Sequence, residues 1–183
     1  YDEKIIENYN KSVIEKLNNG QVTFYLGTDP TGDSLHVGHL LVFILAKRLE
    51  KHGHHPILLI GGATGFIGDP KPTAERKMLT KEEVAHNKAE VKELVKRFVK
   101  TDGENPAIIV DNADWICDKT YVDFMRDIGV HFNVNNMLNA ECYKKRLANG
   151  GLTFLEMGYM LMQGFDFVHL NKEFNCKLQI GGS

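Results

Sequence analysis

Cysteine is scarce in this 183-residue chain. Cys117, Cys142 and Cys176 are odd in number, scattered and never paired as C-x-x-C. That argues against a disulfide framework and for reduced, partly buried thiols. No uninterrupted apolar run approaches the roughly 20 residues a membrane span needs. The opening Y-D-E-K-I-I-E-N has neither the basic start nor the apolar core of a signal peptide. A cytoplasmic protein with no membrane association is expected. An excess of positive charge is missing too: Lys+Arg 22 against Asp+Glu 24 gives a net charge of -2. A nucleic-acid partner would need a local patch or further parts of the protein. Hydrophobic residues at 43% are enough for a sizeable core, which excludes disorder as the main state. The length suits one domain, or one domain with an insertion.

The order of elements is legible from periodicity. Residues 2–18 place Ile5, Ile6, Tyr9, Val13, Ile14 and Leu17 at helical spacing, and Asn18-Asn19-Gly20 ends them. Val22–Leu26 reads as a strand, residues 27–32 as a loop, and Leu35–Lys51 as a helix capped by Asp33 or Ser34 and closed by Gly53. Pro56–Ile60 is wholly apolar, as expected in a sheet covered on both faces. Strand, helix and strand at this spacing form a βαβ unit with parallel strands. Gly61, Gly62, Gly65 and Gly68 crowd the following loop, which predicts close backbone approach there. Thr80 with Glu83 forms a capping box for a helix to about Lys100. Ala107–Asp111 is a further strand, residues 120–170 are mainly helical, and Cys176–Ile180 is a last short strand. The expected class is α/β, a Rossmann-like parallel sheet with helices on both faces and a helical insertion at about 120–170. The closing Gly181-Gly182-Ser183 reads as a turn cut short, so residues 1–183 are taken as an incomplete domain.

Two constellations carry chemistry. Thr31, His36, Gly38 and His39 lie at the carboxyl end of the first strand and on the first turn of the next helix, where anions are favoured. The histidines at i and i+3 supply donors, and Gly38 lets a flat group lie on the helix. The pattern suits phosphate oxygens with a purine or ribose; packing and metal ligation are the competing readings. His52, His54 and His55 could be imagined as further metal ligands. They sit at the far end of that helix, roughly 25 Å away at 1.5 Å per residue, and are expected to form a solvated helix end. The second constellation is Tyr159, Gln163 and Asp166, which share a helical face among Met160, Leu161, Met162 and Phe165. A phenol, an amide and a carboxylate in apolar company imply either a satisfied buried network or a pocket for an amino acid with a polar far end.

The blocks Gly27–His39, Gly61–Pro70, Phe154–Phe167 and Gln179–Ser183 together resemble the catalytic domain of class I aminoacyl-tRNA synthetases, and closely the bacterial-type tyrosyl enzymes. The resemblance runs from about Val22 to the end. It implies a tyrosine–tRNA ligase that activates L-tyrosine with ATP and Mg²⁺, releases pyrophosphate, and passes the tyrosyl group to tRNA(Tyr). Tyr25 and Asp166 would bond the phenolic hydroxyl, while Asp69, Tyr159 and Gln163 would hold the α-ammonium. Thr64, Asn112 and Gln179 would stand close to that pocket. Thr31 and His36 would stabilise the departing pyrophosphate, with His39, Gly38, Gly27 and Asp29 facing ribose and adenine. Phe124, Met125, Ile128, Val130, Phe132, Val134, Met137 and Leu138 would belong to a homodimer interface, ordinary core being the alternative.

Departures from the family pattern are specific. Leu26 stands where many relatives carry a cysteine that touches the ribose. The stretch Lys71–Arg76 is about one residue short, leaving Lys71 and Arg76 as unassigned pyrophosphate helpers. The family's Lys-Met-Ser-Lys-Ser loop is not in the sequence, so weak or no adenylation is expected of these 183 residues alone. Competing functions are a non-catalytic binding module of the same fold, a tryptophan-specific relative and another nucleotidyl transferase.

Overall fold

An apolar strand has no face to offer to water, and Pro56–Ile60 accordingly forms the buried middle of a parallel sheet. The computed structural model describes residues 3–35, 37–69 and 78–181, with side chains from Lys11 onwards. Among the described residues four strands, β1 (Thr23–Thr28), β2 (His55–Ile60), β3 (Ile108–Asp111) and β4 (Leu178–Gln179), lie in the order β3-β2-β1-β4. All three pairings are parallel, with Tyr25 opposite Ile57 and Gln179. The helices are α1 (Glu3–Asn18), α2 (Val37–Lys51), α3 (Lys81–Val95), α4 (Ala113–Ile116), α5 (Tyr121–Asp127), α6 (Val134–Leu138), α7 (Glu141–Ala148) and α8 (Phe154–Phe174). This is the expected α/β, Rossmann-like architecture. Among the described residues no helix is long and apolar enough to cross a membrane.

Alternation along β1 sends successive side chains to opposite faces. Phe24 and Leu26 meet Phe43 and Ala46 of α2 and Val91 and Val95 of α3. Tyr25 joins Ile57, Leu59 and Leu170 of α8 on the other face. A separate cluster, Ile128, Met137, Tyr143 and Leu161, binds the short helices after β3 to α8. Within the stretch read as an insertion, Ile128 and Met137 are core, while Val130 and Val134 face out.

The boundaries moved for identifiable reasons. β1 runs on to Thr28 because its pairing continues to Ile60, and Gly61 N–H then donates to the Thr28 carbonyl. α3 stops at Val95, not near Lys100. The chain turns there, which brings Val99 into the core and stacks Phe98 on Phe43 at 5.1 Å. β4 is two residues long, although Lys177 and Ile180 add backbone bonds to β1 on either side.

The histidine cluster is corrected. Only His52 is solvated; His54 is buried, and its Nδ1 accepts the Val22 N–H at 3.2 Å. His55 opens β2 and faces Gln21 and Asn105. Burial, with His52 and His55 adding their charge, holds the His54 imidazole below its usual range. The capping box at Thr80 is present as expected, with Glu83 N–H donating to Thr80 Oγ1 and Thr80 N–H to Glu83 Oε2. Expectations for Ile5, Ile6, Tyr9, His36, Pro70, Lys71, Arg76, Gly182 and Ser183 fall outside the described side chains.

Candidate active site

Parallel strands end on one side of a sheet, and the loops that follow them must converge there. In this chain they enclose a cavity of about 730 Å³. β1 and the loop after it supply Tyr25, Gly27, Asp29 and Thr31; α2 adds Gly38 and His39. The glycine-rich loop after β2 brings Thr64 and Asp69, α8 brings Tyr159, Gln163 and Asp166, and β4 brings Gln179. Residues separated by more than 100 positions thus share one wall. Leu26 also lines the cavity, and at 3% exposure it serves the core as well.

Close approach is built into the loop. A Cβ on Gly61 would overlap Asp29 Oδ1 and Thr64 Oγ1, and one on Gly62 would overlap the Asp111 carboxylate. Bare backbone is therefore required at the point where the loops after β1, β2 and β3 touch.

A continuous chain of hydrogen bonds runs behind and along the wall. Trp115 Nε1–H donates to Asp166 Oδ1 at 2.8 Å, and Asn112 Nδ2 donates to Asp166 Oδ2 at 3.0 Å. The same Asn112 amide donates to Thr64 Oγ1, and its Oδ1 accepts from Ala63 N–H. Thr64 Oγ1 donates to Asp29 Oδ1 at 2.6 Å, and the Tyr159 hydroxyl donates to Asp29 Oδ2 at 2.9 Å. Asn112 is fully buried and does not reach the cavity. Its amide oxygen and nitrogen are committed to protein partners, so it supports Asp166 and Thr64 from behind. Asp29 likewise has both carboxylate oxygens engaged by protein donors.

The Tyr25 phenol stands outside this network. The Tyr25 hydroxyl is buried, belongs to a cavity-lining residue and has no hydrogen-bond partner among the described residues. Burial, then the neighbouring charges of Asp166 and Cys176, push its phenol well above the ordinary range. Tyr159 is raised in the same sense by burial and by Asp29 and Asp69. Both are neutral donors at physiological pH. Burial lifts the Asp166 carboxyl to about 6, against the opposing pull of its bonds from Asn112 and Trp115, with Asp29 adding to the rise.

Trp115 was not singled out from the sequence. Its ring is stacked on His169 at 4.1 Å, which fixes the indole N–H toward Asp166. A lone tryptophan just beyond a strand gives no periodic signal; only the fold brings it 51 positions to its partner.

A family model described as tRNA synthetases class I (W and Y) matches residues 17–183. A tyrosine–tRNA ligase of Clostridium beijerinckii is 53% identical over 168 residues, 91% of this chain and 41% of that protein. The C-terminally truncated mitochondrial tyrosyl-tRNA synthetase of Aspergillus nidulans has a similar structure, with TM-score 0.81 and 28% identity over 94% of this chain and 52% of that one. That of Coccidioides posadasii gives 0.77 and 30% over 94% and 49%. The chain therefore spans about two-fifths of the length of its curated relative.

Proposed function

We propose, for a chain that belongs to the class I tRNA synthetases of the W and Y group, that it forms the amino-acid and nucleotide site of a tyrosine–tRNA ligase. The carrying observation is the Tyr25 hydroxyl, buried beside the Asp166 carboxylate without a partner among the described residues. A buried orphan polar group costs stability, and a ligand hydroxyl set between these two side chains removes that cost. Tyrosine offers one as both donor and acceptor. Phenylalanine would leave Tyr25 unpaired, and tyrosyl enzymes are themselves a standard illustration of such rejection.

At the other end of the amino acid, the α-ammonium meets Asp69, Tyr159 and Gln163. Its carboxylate oxygen attacks the α-phosphorus of ATP, so a carboxyl O–P bond forms and the P–O bond to pyrophosphate breaks. No side-chain nucleophile takes part. The chain contributes by positioning the reactants and by donating to the charge that gathers on the leaving oxygens. Thr31, in the cavity lining, is read as one of those donors, while His39, also in the lining, faces ribose and adenine. His36 is assigned to the leaving oxygens by sequence, and Gly38 and Gly27 give room for adenine and ribose. Gln179 and Thr64 complete the amino-acid end. Mg²⁺ would accompany ATP, held largely by its phosphates and water. Transfer to tRNA(Tyr), a homodimeric assembly and a cytoplasmic location belong to the same reading.

The test is pyrophosphate exchange by the full-length protein with tyrosine, phenylalanine and tryptophan. Tyrosine alone should support it well. Tyr25→Phe and Asp166→Asn should each lower the tyrosine-over-phenylalanine preference roughly tenfold or more. Exchange driven by tryptophan, or unchanged preference in both variants, would reject the assignment.

A further inference from the structure

α8 carries three of the cavity's polar side chains, so the placement of its first turns sets the geometry of the amino-acid site. Its own cap fixes only its start. Thr153 accepts from Glu156 N–H, and Glu156 Oε2 accepts from Thr153 N–H and Oγ1. A second helix then grips the same turn. Arg146 of α7 donates through Nε to Glu156 Oε1 at 2.8 Å, with both side chains buried. Tyr143, one turn earlier on α7, is 1% exposed, and its hydroxyl donates to the Glu156 and Met157 carbonyls at 3.2 and 3.3 Å. Both contacts fall within one turn of Tyr159, whose hydroxyl bonds Asp29.

Tyr143 is also close enough to Asp69 to feel its charge. Burial, with Cys142, Asp69 and Glu156 adding, pushes the Tyr143 phenol up to about 12. Neither Tyr143 nor Arg146 lines the cavity.

We propose that Tyr143 and Arg146 are positioning residues that clamp the first turn of α8 and so set the grip of Tyr159 on the substrate's α-ammonium. The inference rests on the tyrosine-binding reading above. It separates two groups behind the pocket wall: Trp115 and Asn112 orient the hydroxyl end, and the α7 pair orients the amine end.

The separation gives the test. Full-length wild type, Tyr143→Phe and Arg146→Lys are titrated with tyrosine, phenylalanine and the deaminated analogue 3-(4-hydroxyphenyl)propionate, with thermal melts alongside. Tyr143→Phe removes one hydroxyl without changing volume and is the variant expected to fold as the parent does. Its Kd for tyrosine and for phenylalanine should rise in equal proportion, roughly three- to tenfold. The Kd for the deaminated analogue should stay within about twofold of wild type. Arg146→Lys keeps the charge but not the planar fork, and should move the amino acids in the same direction. A lowered melting temperature with unchanged tyrosine Kd in both variants would overturn the proposal, leaving the clamp a matter of folding only. Equal losses for tyrosine and its deaminated analogue would overturn it too. A wild-type protein that bound no tyrosine would sink the parent reading instead, and is told apart by the first titration.

Discussion

Asp166 has to stay an acceptor in a place that disfavours its charge. Desolvation raises its carboxyl to about 6 from an ordinary 3.8, and the Asn112 and Trp115 bonds keep it from rising further. Because the folded value lies above the unfolded one, the protonated form favours folding. That contribution is fully present below 3.8 and lost as pH rises through about 6. At neutral pH the free protein therefore carries a destabilising carboxylate, which a bound hydroxyl would relieve. The expected consequence is that preference for tyrosine over phenylalanine falls as pH drops through about 6, since only tyrosine uses the acceptor. Pyrophosphate exchange by the full-length protein, measured from about pH 5 to 8, reads this directly. Trp115→Phe removes a bond that lowers the pKa, so the inflection should move upward. A flat preference in wild type, or an inflection that moves down in the variant, would contradict the role given to Asp166. Asp166, Tyr159 and Gln163 were legible in the sequence because a helix repeats every 3.6 residues and their neighbours are apolar. Trp115 and the buried His54 were not, because what decides them is a partner brought in by the fold.

The elements were easier to read than their ends. β2 announced itself by unbroken apolarity, and α3 by the reciprocal Thr80–Glu83 cap. The length of α3 was decided by Phe98 and Val99 leaving the helix for the core, which no local pattern reveals. The loop after β2 is the informative case. Its glycines predicted close approach, and the structure identifies what approaches: the Asp29 carboxylate, Thr64 and the Asp111 carboxylate. Lys88 of α3 binds Asp111 at 2.8 Å, so that last neighbour is tethered and cannot simply swing away. A Cβ on Gly61 meets Asp29 Oδ1 and Thr64 Oγ1 instead, so Gly61→Ala should push Asp29 off Thr64 and Tyr159 and open the cavity floor. Overpacking of this kind costs about 1–3 kcal/mol of stability. Thermal melting should show that loss. Exchange activity should fall by more than the melting shift implies, since a functional wall has moved. A variant with wild-type activity would mean that Asp29 can sit elsewhere without harm to the site.

Among the described residues the apolar core falls into three clusters. The sheet and its helices enclose two, one on each face, and Ile128, Met137, Tyr143 and Leu161 form the third under α8. The third is thin: within the same short segments Tyr121, Val122, Val130 and Val134 are all more than half exposed. Isolated surface valines are ordinary, but four large apolar side chains on three neighbouring short segments suit burial against another protein surface. On the homodimer reading proposed above a second copy would cover this surface, and the α7 contacts would then link it to Tyr159. Full-length protein should sediment as a dimer at micromolar concentration. Val130→Asp with Val134→Asp should shift it toward monomer, because each carboxylate would be desolvated in a closed interface. If that link through Tyr143 operates, the monomeric variant should also bind tyrosine more weakly, with its tyrosine-over-phenylalanine preference intact. Monomeric wild type would remove the interface. A dimer that both aspartates leave undisturbed would place it on a different face of the molecule.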